Sequence, residues 1–183
     1  MFNIYNIEEK NYVNGDGCRY VLWLQGCSLG CSGCWNKDSW SNKPNILKSV
    51  DDIFDQIETL KDKLDGVTFT GGEPFEQSDK LSILAKKIKK IGLNIHIFTG
   101  FELDELILEE HQELLKYTDT LVYGRFDTDK ENNNQKVKYF TKENWKFNNS
   151  DIQVDIDSDG NLNLTGYPSD EFIKNMEEIN ARV

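Results

Sequence analysis

Apolar residues in this chain fall into short blocks that switch between two periods, and the switches predict alternating strands and helices. The first clear block, Tyr20-Val21-Leu22-Trp23-Leu24-Gln25, is a near-continuous apolar run of strand length. After the helix-start signal Ser49-Val50-Asp51-Asp52, the residues Val50, Ile53, Phe54, Ile57 and Leu60 recur at helical spacing to about Leu64. Val67–Thr70 reads as a strand, Ser78–Ile91 as a helix with Leu81, Leu84, Ile88 and Ile91 on one face, and Leu93–Thr99 as another strand. A helix over Glu102–Tyr117 and a strand over Thr120–Tyr123 continue the alternation, which predicts a parallel α/β sheet. Asp127–Gln135 is polar and reads as a loop. Further on, Ile152–Asp155 and Leu162–Thr165 flank Asp157-Ser158-Asp159-Gly160, a hairpin signal, and a last helix runs from Ser169 towards Ala181. Asp155, Asp157 and Asp159 have the spacing of a calcium loop, but Gly166 stands where the closing bidentate Glu belongs, so the turn is the better reading. No repeat or linker divides the pattern, which predicts a single domain over 1–183 with the hairpin and last helix at 151–183.

Composition narrows the class. At 183 residues, 38% of them hydrophobic, with ten Phe and four Trp, the chain can bury a core and is not a disordered acidic tail. Its formal net charge of −11 argues against nucleic acid as the main partner, because phosphate binding depends on clustered Lys and Arg. The basic run Lys86-Lys87-Ile88-Lys89-Lys90 lies opposite the apolar face of its helix and reads as a solvated surface. Neither a signal-peptide pattern nor a membrane-spanning run is visible, so the expectation is a cytoplasmic protein without a membrane partner.

Candidate chemistry sits at the end of the first strand. Cys27, Cys31 and Cys34 occur in CSLGCSGCWN, with three residues between the first pair and two between the second. A 4Fe–4S cluster normally takes four protein thiolates, so three from one loop would leave an iron open, and open positions mark catalytic sites. Cys18 offers the alternative of a closed four-cysteine zinc site, although the strand after it would have to fold back to bring it to the loop. Cys18 also reads as a small buried core residue, and structural disulfides are not expected for an intracellular chain. The second signal is Gly66-Val67-Thr68-Phe69-Thr70-Gly71-Gly72-Glu73-Pro74, a β-rich run ending in paired glycines, an acid and a proline. Such glycines let a backbone approach a ligand closely, and their amides and carbonyls suit the amino and carboxylate groups of an amino-acid-like cofactor.

Together these residues resemble the radical S-adenosylmethionine (SAM) superfamily, and more narrowly the activating proteins of anaerobic (class III) ribonucleotide reductases. The matching pieces include Asp16-Gly17-Cys18-Arg19, Gln25-Gly26-Cys27, Trp35-Asn36 with Trp40 beyond, and Ile97-Phe98-Thr99-Gly100-Phe101 leading into Glu102-Leu103-Asp104-Glu105-Leu106. Later pieces are Leu121-Val122-Tyr123-Gly124-Arg125-Phe126, Asn133-Asn134-Gln135 and the tail Gly160–Pro168. Departures are Gly15-Asp16-Gly17 in place of a glycine-proline-glycine turn, Tyr123 in place of an acid, and Asn132-Asn133-Asn134-Gln135 in place of an Arg-Gly-Ser start.

The resemblance implies a short, open partial (β/α)6 barrel of the radical SAM type, with cluster loop 26–36 and GGEP 71–74 at the carboxyl ends of strands, where barrel active sites lie. It implies that Cys27, Cys31 and Cys34 bind a 4Fe–4S cluster whose open iron chelates SAM. Gly71, Gly72, Glu73 and Pro74 would hold the methionine end. Gly33, Cys34, Trp35 and Asn36 would flank the cofactors, with Trp35 as a stacking surface for adenine, and Thr99 and Gly100 as further contacts. An external flavodoxin- or ferredoxin-like donor would reduce the cluster, SAM would be cleaved to methionine and a 5′-deoxyadenosyl radical, and that radical would take hydrogen from a glycine of the partner, a glycyl-radical enzyme. The cofactor carries the hard step, so no acid–base residues are expected. His96 and His111 are not needed as ligands and read as structural or surface residues. Two other readings stay open: a radical SAM enzyme acting on a small molecule or peptide, and a non-catalytic zinc or iron–sulfur module using Cys18.

Overall fold

The computed structural model describes residues 1–130, 134–141, 152–156 and 162–166, with isolated positions at 169, 171, 172, 174 and 175. Among them, β1 (Phe2–Asn11), β2 (Arg19–Leu24), β3 (Ile46–Lys48), β4 (Gly66–Gly71), β5 (Asn94–Phe98), β6 (Thr120–Tyr123) and β7 (Lys136–Tyr139) form one sheet in the order β3-β1-β2-β4-β5-β6-β7. The centre, β2-β4-β5-β6, is parallel, and β1, β3 and β7 join antiparallel. The edges β3 and β7 do not pair with each other, so the sheet is open. The α/β class and the open architecture thus follow the expectation, while the parallel run has four strands among the described residues rather than about six. The antiparallel strands that frame it carry no helical crossover, and β1, β3 and β7 go beyond the predicted elements. These added strands carry few buried apolar residues, Phe2 and Ile4 on β1 and none on β3 or β7.

The helices α1 (Val50–Leu60), α2 (Ser78–Lys90) and α3 (Glu109–Leu115) cover one face of the sheet. Ser49 caps α1 in a full capping box with Asp52, as the Ser-Val-Asp-Asp start predicts. Tyr20, Leu22 and Leu24 of β2, Val67 and Phe69 of β4, and Ile95 and Ile97 of β5 pack with Ile53, Ile57, Leu81, Leu84 and Ile88 of the helices in one buried cluster. Val21 and Trp23 on the opposite face are buried as well, and burial on both faces explains why the central strands read as apolar runs. The other face is mixed: the register pairs Val21 with Thr68, Trp23 with Thr70, Thr68 with His96 and Phe98 with Val122. Arg19 lies fully buried there, donating to Thr68 Oγ1 (2.6 Å), the Val67 carbonyl (2.8 Å) and the Asp16 carbonyl (3.0 Å).

The helix predicted over Glu102–Tyr117 is shorter, since only Glu109–Leu115 is helical and Leu108 is extended with ψ 152°. Tertiary contacts win over local propensity in the first half. Arg125 forks onto both carboxylate oxygens of Glu105 at 2.8 Å, and Leu106 is buried, which holds 102–108 in turns. The hairpin β8 (Ile152–Ile156) and β9 (Leu162–Gly166) forms as predicted, and it touches β1 through Asn11 Nδ2 to Thr165 Oγ1 (3.1 Å). Its turn at Asp157–Gly160 and most of the last predicted helix lie outside the described residues. Of the polar loop Asp127–Gln135, residues 131–133 also lie outside them.

Candidate active site

The site grows out of two neighbouring strands that run parallel to their carboxyl ends, pairing Trp23 with Thr70 and Leu24 with Gly71. The ladder continues past the strands: the Gly72 amide donates to the Leu24 carbonyl and the Glu73 amide to the Gly26 carbonyl, both at 2.8 Å. So close an approach demands glycine. A Cβ on Gly72 would run into the Gly26 carbonyl, and Gly71, at φ +98°, would put one 2.5 Å from the Leu24 amide nitrogen. The cysteine loop is held from three sides. Gly26 and Cys27 amides donate to the Ser39 and Trp40 carbonyls at 2.7 and 3.1 Å. Ser28 donates through its amide and hydroxyl to Glu76 Oε1 at 2.8 and 2.6 Å. Gln77 accepts from the Asn3 amide and donates to the Asn3 and Gln25 carbonyls, which fixes the end of β2.

This framing brings Cys27, Cys31 and Cys34 together with Trp35, Asn36, Gly71, Gly72, Glu73, Thr99 and Gly100 around one cavity, with about 680 Å³ of empty space including its open mouth. Residues as distant as Cys27 and Gly100 thus share one wall. Gly33 and Pro74 do not line it: Gly33, at φ +75°, turns the chain between two cysteines, and Pro74 is buried at the start of the 3-10 turn Pro74–Gln77. The walls include further residues that motif reading leaves unassigned, namely Leu29, Trp40, Thr70, Phe98, Phe126 and Gln135. Adjacency in the chain could have found two of them, since Thr70 and Phe98 immediately precede Gly71 and Thr99 at their strand ends.

Glu73 is 1% exposed, and its carboxylate accepts from the Phe75 amide (2.9 Å), the Thr99 hydroxyl (2.7 Å) and the Gly100 amide (2.9 Å). It braces the loop after β4 against the loop after β5. Burial outweighs those three donors and pushes its carboxyl up to about 7. Burial likewise raises the Cys27 thiol to about 11, with Glu73 and Glu76 adding to the effect. A bound metal cation inverts that balance, because thiolate ligands are deprotonated by the metal itself. Asn36 donates its backbone amide to Cys34 Sγ at 3.4 Å. On the far wall, Arg125 donates to the Gly100 carbonyl and stacks 5.5 Å from the centre of the Phe101 ring. All four cysteines are free of disulfides.

The donor set fits a cluster better than zinc. A closed zinc site needs four donors, whereas the thiols lining the cavity are those of Cys27, Cys31 and Cys34, the number that holds a cluster with one open iron. Cys18 belongs to the hydrophobic core at the opposite end of β2, about 20 Å from the cysteine loop at strand spacing. His96 and His111 lie outside the cavity. His96 is 1% exposed, and burial beside Arg19 holds its imidazole far below the usual range. His111 packs edge-on against Phe75 with ring centres 5.5 Å apart. Both are structural. Among the described residues no helix is long and apolar enough to cross a membrane.

Three thiols facing a paired-glycine strand end across one cavity match the class that the resemblance implies, an iron–sulfur enzyme of the radical SAM kind with a 4Fe–4S cluster and SAM as cofactors. Residues 13–146 match the family model described as a 4Fe-4S single cluster domain. The chain is 35% identical to the anaerobic ribonucleoside-triphosphate reductase-activating protein of Haemophilus influenzae, over 62% of this chain and 77% of that one. It is 34% identical to the protein of that name from Pasteurella multocida, over 64% and 80%. It is also 33% identical to the pyruvate formate-lyase-activating enzyme of Staphylococcus epidermidis, over 94% of this chain and 61% of that one. The chain belongs to the radical SAM activase family.

Proposed function

We propose that this chain reductively cleaves SAM and installs a glycyl radical on a partner enzyme, the anaerobic ribonucleotide reductase. The observation that carries the reading is the shared cavity of Cys27, Cys31 and Cys34 with Gly71, Gly72 and Thr99. In this reading the three thiolates hold the cluster, which when bound supplies the electron for SAM cleavage. The Gly71-Gly72 backbone receives the methionine end, and Glu73 and Pro74 fix that backbone from behind. Gly33 turns the cysteine loop, Trp35 and Asn36 border the cofactors, and Gly100 closes the wall under the hold of Arg125. The open mouth admits a polypeptide segment. The reductase is favoured as partner because the chain spans 77% and 80% of two reductase-activating relatives but 61% of the lyase-activating one. Activation of a pyruvate formate-lyase is the second reading, supported by a match that extends over 94% of this chain.

The test is anaerobic reconstitution with iron, sulfide, SAM and a strong reductant, with 5′-deoxyadenosine assayed and the glycyl radical read by electron paramagnetic resonance. Radical on the co-encoded reductase, absent with Cys34→Ala, is the expected result. Radical on a pyruvate formate-lyase alone transfers the reading to that partner. No 5′-deoxyadenosine from cluster-loaded protein with a candidate partner present overturns it.

A further inference from the structure

The loop after β5 is gripped from both neighbouring strands. From the β4 side, Glu73 accepts from the Thr99 hydroxyl and the Gly100 amide; from the β6 side, Arg125 donates to the Gly100 carbonyl. Gly100 in turn stands against the cysteine loop, since a Cβ on it would lie 3.7 Å from Cys31 Sγ and 2.5 Å from Leu29 Cδ1. The guanidinium of Arg125 therefore sits directly behind the wall that Cys31 faces. Two contacts fix it there: both Glu105 carboxylate oxygens accept from it at 2.8 Å, and the Phe101 ring centre lies 5.5 Å away. Glu105 foremost, then the fields of Cys31 and Glu73, raise the guanidinium pKa above its already high value, so the charge is permanent. The cavity lining itself holds one carboxyl, Glu73, and no Lys or Arg among the described residues. In a chain of net charge −11, Arg125 is thus a cation placed at a wall that has none of its own.

We propose that Arg125 is a positioning residue for reduction of the cluster: its cation, seated behind Gly100 at the Cys31 corner, favours the state with one more electron, and Glu105 attenuates that pull. Three thiolates give a bound 4Fe–4S cluster a net negative charge that grows by one on reduction, and net charge is among the factors that set such potentials. A fixed cation in a wall partly shielded from water acts more strongly than the same charge in bulk solvent. Bracing alone does not require the arginine, because the Glu73 carboxylate already holds Gly100 through its amide. This inference rests on the reading that Cys27, Cys31 and Cys34 hold the cluster.

The experiment is an equilibrium redox titration of anaerobically reconstituted protein without SAM or partner. Dithionite supplies the single electron, and the reduced cluster is read by electron paramagnetic resonance. Arg125→Gln is expected to lower the reduced-to-oxidised ratio at a fixed potential about fivefold, roughly 40 mV for a one-electron couple. Arg125→Lys keeps the charge and is expected to restore most of the ratio. Glu105→Gln removes the opposing charge and is expected to raise the ratio above wild type. Arg125→Gln and Glu105→Gln break the same ion pair, so a purely structural role would move both in one direction. Shifts of the same sign, or an unchanged ratio in Arg125→Gln, overturn the proposal. Should Arg125→Gln fail to load a cluster, Glu105→Gln decides, and an unchanged or lowered ratio there overturns the proposal. Wild-type protein that takes up no 4Fe–4S cluster overturns instead the cofactor reading beneath it.

Discussion

Arg19 and His96 face each other on the helix-free side of the sheet, both buried, with the arginine held by Thr68, Val67 and Asp16. A permanently charged guanidinium beside a buried imidazole keeps that imidazole neutral in the folded state. Its pKa is depressed in the fold, so the unfolded chain takes up the proton first, and stability is lost as pH falls below about 6.5, the unfolded value. The expected cost approaches about 1.4 kcal/mol per pH unit below that point. Denaturant unfolding of metal-free protein between pH 4 and 7 checks it, and His96→Gln flattens the slope relative to wild type. The same residue illustrates what a sequence conceals. His96 occupies a strand position that reads as structural, but its burial and its cationic neighbour follow from the register that sets β5 beside β4. Cys27, Cys31 and Cys34 are the reverse case, because their spacing alone brings three thiols into reach of one cluster.

At the scale of elements, the cysteine loop and the loop after β4 behave as one unit, joined by the Gly72 and Glu73 amides and by Glu76 on Ser28. Glu76→Ala removes both Ser28 contacts while leaving the core untouched. The expected outcome is several-fold faster loss of iron to a chelator, with an unfolding midpoint close to wild type, since exposed contacts contribute little to stability. An unchanged release rate would assign the loop's order to the Ser39 and Trp40 contacts instead. Central strands and amphipathic helices were legible because their apolar runs bury against each other. The antiparallel β1 and β3 were not, because they carry few buried apolar residues, only Phe2 and Ile4 on β1 and none on β3. The predicted first half of α3 failed for another reason: burial of Leu106, together with the pairing of Glu105 with Arg125, 20 residues away, overrides a helical pattern that looks continuous locally.

For the whole molecule, an open sheet leaves the cysteine cavity with a wide mouth, which suits a macromolecular substrate and exposes any bound cluster to oxidants. Protein purified in air is expected to carry less iron and acid-labile sulfide per chain than protein kept anaerobic. In the same assay, Cys18→Ala should retain the wild-type iron content of anaerobic protein at a cost of about 1–2 kcal/mol in stability, as a small core truncation, whereas Cys34→Ala should lose iron. Equal loss in both would reinstate the four-cysteine site. The sequence by itself determined the family, the α/β class and the grouping of three cysteines in one loop, because cysteine spacing and strand–helix alternation are local features. Tertiary structure decided which cysteine stays in the core, that Glu73 serves as a brace, and that Thr70, Phe98 and Phe126 border the cavity. Those outcomes depend on strand order and on contacts between residues far apart in the chain, and spacing along a sequence carries neither.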